Sequence, residues 1–364
     1  MRVAVLGSGA MGAIFGVALA RSDAEVVFFD KRSEVVEAIN RDGLKLSSGL
    51  IKFTLKLESF SPRLPSSARA RLATPAPQDE GTRNAAVDFV ATTDPAALGK
   101  IDIALVLVDS GATAEVAKVA ERCLKPEGFA LTLQNGIGNW EALAARLGES
   151  RVLAGSTYNS GAGAGPGVSV HTNLGTTWIG ELDGKISERA KAIAEKFEAA
   201  GLPFEVVDNV KSHVWSKFVH NCAINPIAAL TGMRSGEIAR DAAASKMLDR
   251  VLDEVLAVVA AEGVTLVEDD PKEHIRDHTW GRYNRPSMLQ HLQSGRRTEI
   301  DALNGALVKR ARAHGIPVPA NEMIVLAVKA LEAAGRRDGA KLDEPALEAA
   351  AKADPRKGRW GEGG

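Results

Sequence analysis

Cysteine is scarce in this chain. Only Cys123 and Cys222 occur among 364 residues, far apart and without the paired spacing of a metal knuckle or a disulfide framework. Two isolated thiols suit a reducing cytoplasm, which is the compartment expected. The seven histidines are scattered too, so no structural zinc is expected. Net charge is almost absent, at −1, and gives no electrostatic reason to expect nucleic acid or an anionic membrane as partner. The longest apolar runs are short and broken by Gly, Asp or Lys, so no transmembrane helix is expected. The opening MRVAVLGSGAMG lacks a cleavable signal pattern, because its apolar run leads straight into glycines.

What the chain does have is core-forming material: 45% hydrophobic and 25% charged residues. Its length favours two domains. Residues 2–6 (RVAVL), 25–29 (EVVFF), 103–108 (IALVLV) and 129–133 (FALTL) read as buried strands, and 13–24 and 33–41 as helices. This alternation predicts an α/β fold, a Rossmann-like doubly wound parallel sheet over residues 1–208. Residues 58–88, rich in Pro, Ser, Ala and Arg, read as an inserted loop, and Ser160–Gly167 as a second loop. From about Val210 the pattern turns helical. Ser245–Ala261 places Met247, Leu248, Val251, Leu252, Val255, Leu256 and Val259 on one side. Thr298–His314 reads as another helix, stopped by Gly315. An all-helical domain is therefore expected over 209–335, with a peripheral tail over 336–364.

Gly7-Ser8-Gly9-Ala10-Met11-Gly12 satisfies G-x-G-x-x-G, a weak signal alone. Here it follows a strand, opens a helix and precedes a second strand ending in an acid, the context a dinucleotide site requires. Gly7 permits the tight turn, Gly9 lets backbone approach a pyrophosphate, and Gly12 lets helix pack on strand. The helix N-terminus offers N–H groups to the phosphates. Asp30 sits where an acid accepts hydrogen bonds from the ribose hydroxyls, favouring NAD. Lys31 and Arg32 follow at once and can pair with a 2′-phosphate, favouring NADP. A solvated strand end is the third reading, and the sequence alone leaves all three open.

The stretch VWSKFVHNCAINP (214–226) places Lys217, Asn221 and Asn225 along an apolar helix. At about 100° per residue they span an arc of roughly 80°. Unpaired buried polar groups cost about 1–3 kcal/mol each, so such a stripe demands partners. A site that binds a small polar substrate and delivers a proton from Lys217 supplies them. Hydride arriving at a carbonyl carbon leaves an alkoxide, which needs a cation and a proton donor. The bland alternative is a snorkelling lysine with amides capping backbone. Pro226 lacks an N–H, so a kink or interruption is expected near Asn225. Farther on, Ser287 after Pro286 reads equally as a helix cap, and Glu299 as a first-turn acid.

These pieces together resemble the ketopantoate reductase family: GSGAMG, QNGIG (134–138), WSKFVHNCAINPIAALTG (215–232) and SMLQHLQSGRRTEIDALNGALVKRARAHGIPVPAN (287–321). The resemblance runs from Met1 to about Asn321, interrupted by 58–88. It implies a Rossmann domain, then a helical domain like the C-terminal one of 6-phosphogluconate dehydrogenase, with the active site in the cleft between them. By resemblance Lys217 is the catalytic proton donor. Asn221, Asn225, Asn284 and Ser287 bind substrate, and Glu299 is the acid near nicotinamide ribose and substrate. Asn135 touches cofactor and substrate, and Gly161 contacts the cofactor through its backbone. Two positions depart from the family pattern. Asp109 stands where NADPH-using members carry a lysine, which with Asp30 tilts the expectation toward NAD. Ser235 stands where another substrate-side asparagine is frequent.

The expected function is stereospecific hydride transfer between NADP or NAD and a small 2-keto acid of ketopantoate type, giving a D-2-hydroxy acid for pantothenate biosynthesis. The runner-up is an NAD-dependent D-2-hydroxy acid dehydrogenase acting on mandelate-like compounds. A reading of another class is a dinucleotide-binding regulator without turnover, against which an intact lysine stripe argues. A homodimer is compatible with the sequence.

Overall fold

A computed structural model describes residues 1–22, 24–48, 85–87, 89–282 and 284–338. The chain divides into two compact units: Met1–Phe218 with Val264–Val267, and Val219–Gly263 with the residues from Glu268 onward.

The first unit carries strands β1 (Arg2–Leu6), β2 (Glu25–Phe29), β3 (Leu44–Ser48), β4 (Ala85–Val87), β5 (Val90–Thr92) and β6 (Ile101–Val106). It continues with β7 (Leu124–Thr132), β8 (Val152–Thr157), β9 (Ser160–Gly165), β10 (Val168–Asn173), β11 (Thr177–Glu181) and β12 (Phe204–Val206). Helices α1 (Ala10–Ala20), α2 (Ser33–Asp42), α3 (Thr113–Cys123), α4 (Asn139–Leu147) and α5 (Glu188–Ala199) lie among them. Eight strands form one sheet in the order β12-β11-β8-β7-β6-β1-β2-β5. From β5 to β8 every neighbouring pair is parallel, and β11 turns antiparallel to β8. Both faces are covered. Val3, Val5, Ile103 and Leu105 pack with Phe15 and Phe197 on one side, while Ala4, Leu6, Ala104 and Val106 pack with Ala117 and Leu143 on the other. Burial on two faces is why these strands read as unbroken apolar runs. The expected Rossmann-like parallel sheet is present.

Two expectations for this unit need correcting. Ser160–Gly165 is not loop but β9, paired antiparallel with β10. Its Ser, Gly and Ala residues have too little side chain to show a period, and the main-chain ladder holds it. Ala85–Val87, placed in the inserted loop, forms β4 against β3; residues 58–84 lie outside the described residues. Together β4-β3-β10-β9 make a second sheet.

Helix α6 (Val210–Thr231) carries the boundary between the units at Phe218 and Val219. The second unit continues with α7 (Ser235–Arg240), α8 (Ala242–Ala261), α9 (Pro271–Trp280), α10 (Ser287–Gln293), α11 (Asn304–Ala313) and α12 (Pro319–Asp338). Its described residues are helical or irregular, as expected. On α8, Leu248, Val251, Leu252, Val255 and Val259 are buried, but Met247 is 36% exposed. Residues 298–303 are not helical, with 300–303 in a turn, and α11 starts at Asn304. The Thr298 hydroxyl accepts from Ile300 N, a local bond that competes with helix at this position. Pro226 does not interrupt α6, which runs through it for a further turn. Of the expected tail, residues 336–338 end α12 and the rest lies outside the described residues.

Candidate active site

The glycine loop joins β1 to α1 at the carboxyl end of the sheet strands. Gly7 holds φ at +106° and donates its N–H to Phe29 O, closing the turn against β2. A Cβ on Gly12 would sit 2.0 Å from Gly7 O, so only glycine lets α1 start this close to β1. A Cβ on Gly9 would meet nothing within 4 Å, which leaves room for a ligand over the backbone. Gly9 is the N-cap of α1 and supplies no side-chain cap, and the first turn has no acid. The N–H groups of Ala10, Met11 and Gly12 therefore face outward with the helix dipole behind them. Ser8 Oγ is buried without a hydrogen-bond partner among the described residues. An orphaned hydroxyl beside free main-chain donors fits the phosphates of a dinucleotide. Gly161, on β9, packs against α1, where an added Cβ would come within 2.8 Å of Ile14 Cδ1.

Asp30, at the end of β2, is buried and accepts from Ser8 N at 2.8 Å, joining the acid to the glycine loop. Arg32 grips the same carboxylate through Nε at 2.8 Å and Nη2 at 2.7 Å, and its own N–H adds a third bond. Burial works against the charge on Asp30, but the bonds from Arg32 and Ser8 outweigh it and hold the carboxyl below its ordinary pKa. Lys31 is exposed and has no ion-pair partner among the described residues. Asp109, exposed after β6, adds its field to that of Asp30 on Arg32.

Lys217 is half-buried on α6. Its Nζ donates to Asn135 Oδ1 at 2.7 Å and to the Thr157 carbonyl at 2.5 Å. Both acceptors are neutral, so they fix the ammonium without cancelling its charge. Each is itself held. The Asn135 carbonyl accepts from Ser110 Oγ and Asn139 Nδ2, and neighbouring Gln134 ties to Val108 O at 2.7 Å. Thr157 Oγ1 lies 2.7 Å from Thr177 Oγ1 and accepts from Asn159, whose Oδ1 meets His171 Nε2 at 3.0 Å. Lys217 thereby fixes which way the Asn135 amide faces, with Oδ1 toward the ammonium.

In the second unit, Asn225 is buried and central. Its Nδ2 donates to Asn221 Oδ1 at 3.2 Å, and its Oδ1 accepts from Ser287 Oγ at 3.3 Å and Met288 N at 3.4 Å. The N-terminus of α10 is thus anchored on α6, with Pro286 rather than Ser287 at the N-cap. Ser287 is exposed and joined to the amide pair through Asn225. Asn284 is exposed, and its carbonyl accepts from the N–H of buried Ser235 at 3.3 Å. Glu299 is half-buried and opens the turn before α11, where its carbonyl accepts from Ala302 N and Leu303 N.

Two groups in these clusters had no role in the sequence reading. The Thr157 carbonyl leaves no signal there, since every residue has one. Asn304, fully buried at the start of α11, donates to Cys222 O on α6 at 3.0 Å. Its signal was Pro226, which removes the helical donor for that carbonyl. No group of three or more His, Cys, Asp or Glu among the described residues is arranged to hold a metal. No helix among them is long and apolar enough to cross a membrane.

Comparison with known proteins supplies an independent reading. The family model described as Ketopantoate reductase PanE/ApbA matches residues 3–184, and its companion, Ketopantoate reductase PanE/ApbA C terminal, matches 209–332. A 2-dehydropantoate 2-reductase of Halobacterium salinarum is 31% identical over 340 residues, 93% of this chain and 100% of the relative. One of Archaeoglobus fulgidus is 30% identical over 331 residues, 91% and 98% of the two chains. Among solved structures, a PanE/ApbA family ketopantoate reductase from Ralstonia eutropha JMP134 has a TM-score of 0.75 at 32% identity, covering 92% of this chain and 100% of that one. D-mandelate dehydrogenase with NADH and anilino(oxo)acetate has a TM-score of 0.76 at 22% identity over 92% and 100%, a likeness of fold.

Proposed function

The chain belongs to the ketopantoate reductase family, and on that premise we propose that it reduces the C2 carbonyl of ketopantoate, or a close 2-keto acid, to the D-2-hydroxy acid. It is an NAD(P)-dependent oxidoreductase acting on a CH–OH group. The observation that carries the reading is Lys217 Nζ, seated between two neutral acceptors.

When bound, the nicotinamide supplies a hydride to the carbonyl carbon. Negative charge then gathers on the carbonyl oxygen, and the Lys217 ammonium both stabilises that charge and transfers a proton from Nζ. Solvent later returns the proton. Asn135 orients the ammonium through its side-chain oxygen. Asn221 Oδ1 is occupied by Asn225, so Asn221 offers its N–H pair, which suits a carboxylate or hydroxyl oxygen. Ser287 adds a hydroxyl and Glu299 a carboxylate able to accept from a ribose or substrate hydroxyl. At the other end, the glycine loop and the α1 N-terminus hold the pyrophosphate.

For the adenosine ribose, ionised Asp30 and exposed Asp109 favour NAD over NADP, because Arg32 is already committed to Asp30. A cytoplasmic location is part of the proposal, supported by the two free cysteines, Cys123 and Cys222. Steady-state assays of ketopantoate with NADH and with NADPH test the whole proposal. Turnover of another 2-keto acid, but not ketopantoate, would move the chain to a D-2-hydroxy acid dehydrogenase of different specificity; no turnover of any would leave a cofactor-binding protein. Asp30→Ala with Asp109→Lys should shift the kcat/KM ratio toward NADPH. An unchanged ratio would show that these acids do not read the ribose.

A further inference from the structure

Pro226 lies inside α6, one residue after Asn225. A proline there brings no N–H to the carbonyl four residues back, and its ring crowds that carbonyl outward. The carbonyl belongs to Cys222, a buried residue one position after Asn221. It is met from outside the helix by Asn304 Nδ2 at 3.0 Å.

The orientation of Asn304 is set by a relay. Glu254 on α8 accepts from Ala320 N and Asn321 N, capping the first turn of α12, and from Asn321 Nδ2 at 2.7 Å. A carboxylate there forces the amide nitrogen of Asn321 toward it and turns Oδ1 the other way. That oxygen accepts from Asn304 Nδ2 at 2.9 Å. With acceptors on both sides, Asn321 Oδ1 and Cys222 O, Asn304 must present nitrogen to them. Its own Oδ1 is left buried without a hydrogen-bond partner among the described residues. Asn304 and Asn321 are both fully buried. An amide that tolerates an orphaned oxygen to keep its nitrogen on one helical carbonyl serves more than local packing.

We infer that Asn304 is a positioning residue: it supplies the hydrogen bond Pro226 cannot, and so holds the turn of α6 that presents Asn221 and Asn225. This rests on the proposed role of those amides in binding the 2-keto acid. Asn304 touches neither, and acts through the helix backbone between them.

Replacing Pro226 by alanine returns an N–H to position 226, which makes the role of Asn304 redundant. In the full-length enzyme, Asn304→Leu should raise KM for ketopantoate about tenfold and leave KM for the nicotinamide cofactor within about twofold. Asn304→Ala, which removes the donor without adding bulk, should behave alike and covers the case of a poorly folding leucine variant. Adding Pro226→Ala to either should bring the ketopantoate KM back to within about twofold of wild type. Thermal stability should stay low in the double variant, because Asn321 Oδ1 still lacks its donor. A purely structural role would move KM and Tm together. Hydrogen exchange over Val219–Thr231 gives a readout needing no substrate: faster in the single variants, restored by Pro226→Ala. Unrestored KM or exchange in the double variant overturns the inference. If wild type turns over no 2-keto acid while exchange behaves as stated, the functional reading fails and the substrate link with it, and the failure is separable from one in the helix.

Discussion

Around the glycine loop the groups offered to a ligand are main-chain N–H bonds, whereas around Asn225 they are side-chain amides and a hydroxyl. Gly9, Ala10, Met11 and Gly12 work by lacking side chains or keeping them clear, and their geometry follows from the β1–α1 turn itself. Asn221, Asn225 and Ser287 depend on one another, since each amide orientation is set by the next. Lys217 belongs to the second kind, held by an amide oxygen and a carbonyl from two separate strand ends. A backbone site is specified within a few consecutive residues. A side-chain site is specified only once distant segments have packed. The two should therefore fail separately, and substitutions can show whether they do.

The largest expected effect is on the side-chain half. Lys217→Ala should lower kcat by a factor on the order of 10²–10⁴, the range for loss of a positioned proton donor. Cofactor affinity, measured by fluorescence titration, should change little, because the proposed phosphate and adenosine contacts lie on the glycine loop and Asp30. Equal losses in kcat and cofactor affinity would show that the lysine also shapes the cofactor site, and the separation would collapse.

A smaller effect probes the backbone half. An alanine Cβ at Gly9 meets no protein atom within 4 Å, and the φ of −73° there is open to any residue. Gly9→Ala should keep its Tm and still bind cofactor about tenfold or more weakly, because the added methyl occupies the space a pyrophosphate needs. Gly12→Ala, whose Cβ would overlap Gly7 O at 2.0 Å, should lose stability as well. If Gly9→Ala binds cofactor normally, the pyrophosphate does not cross that point.

This contrast also explains what could be read from the residues alone. The parallel sheet was legible because Val3–Leu6 and Ile103–Val106 are buried on both faces and advertise it locally. β9 was not, because Ser160–Gly165 owes its strand to pairing with β10. The spacing of Lys217, Asn221 and Asn225 showed a polar stripe. It could not show that Asn135 and Thr157 receive the ammonium from 82 and 60 residues away. Ser287, Asn284 and Glu299 carried no periodic signal and entered by family resemblance. Pro226 predicts a kink or an interruption; α6 is not interrupted, and the donor that meets the freed carbonyl sits on another helix, out of reach of a local pattern.

The last effect, on stability alone and absent at neutral pH, concerns His220, which adjoins Asn221 and is a test of how far the side-chain network governs stability. Its Nε2 is buried without a hydrogen-bond partner among the described residues. Its ring lies edge-on to His278 at 5.5 Å, and His278 stacks on His274 at 5.7 Å. Burial first, then the charges of His278, Arg282 and His274, outweigh a hydrogen bond with Asn221 and push its pKa down to about 3. The unfolded chain takes up this proton near the ordinary value of 6.5, the folded chain only near 3. Keeping His220 neutral therefore costs nothing above the unfolded pKa, and stability is lost progressively as pH falls from there toward 3. By linkage the loss is about 2 kcal/mol between about pH 7 and about pH 5. Burial lowers the pKa of His278 as well, so that residue adds a loss of the same sign, which a variant at 220 retains. Denaturant titrations of wild type and His220→Gln across that range should diverge toward acid, with the variant losing less. Parallel curves would mean that His220 is solvated enough to titrate normally. The buried network beside Asn221 would then be more open to water than the packing of α6 and α9 indicates.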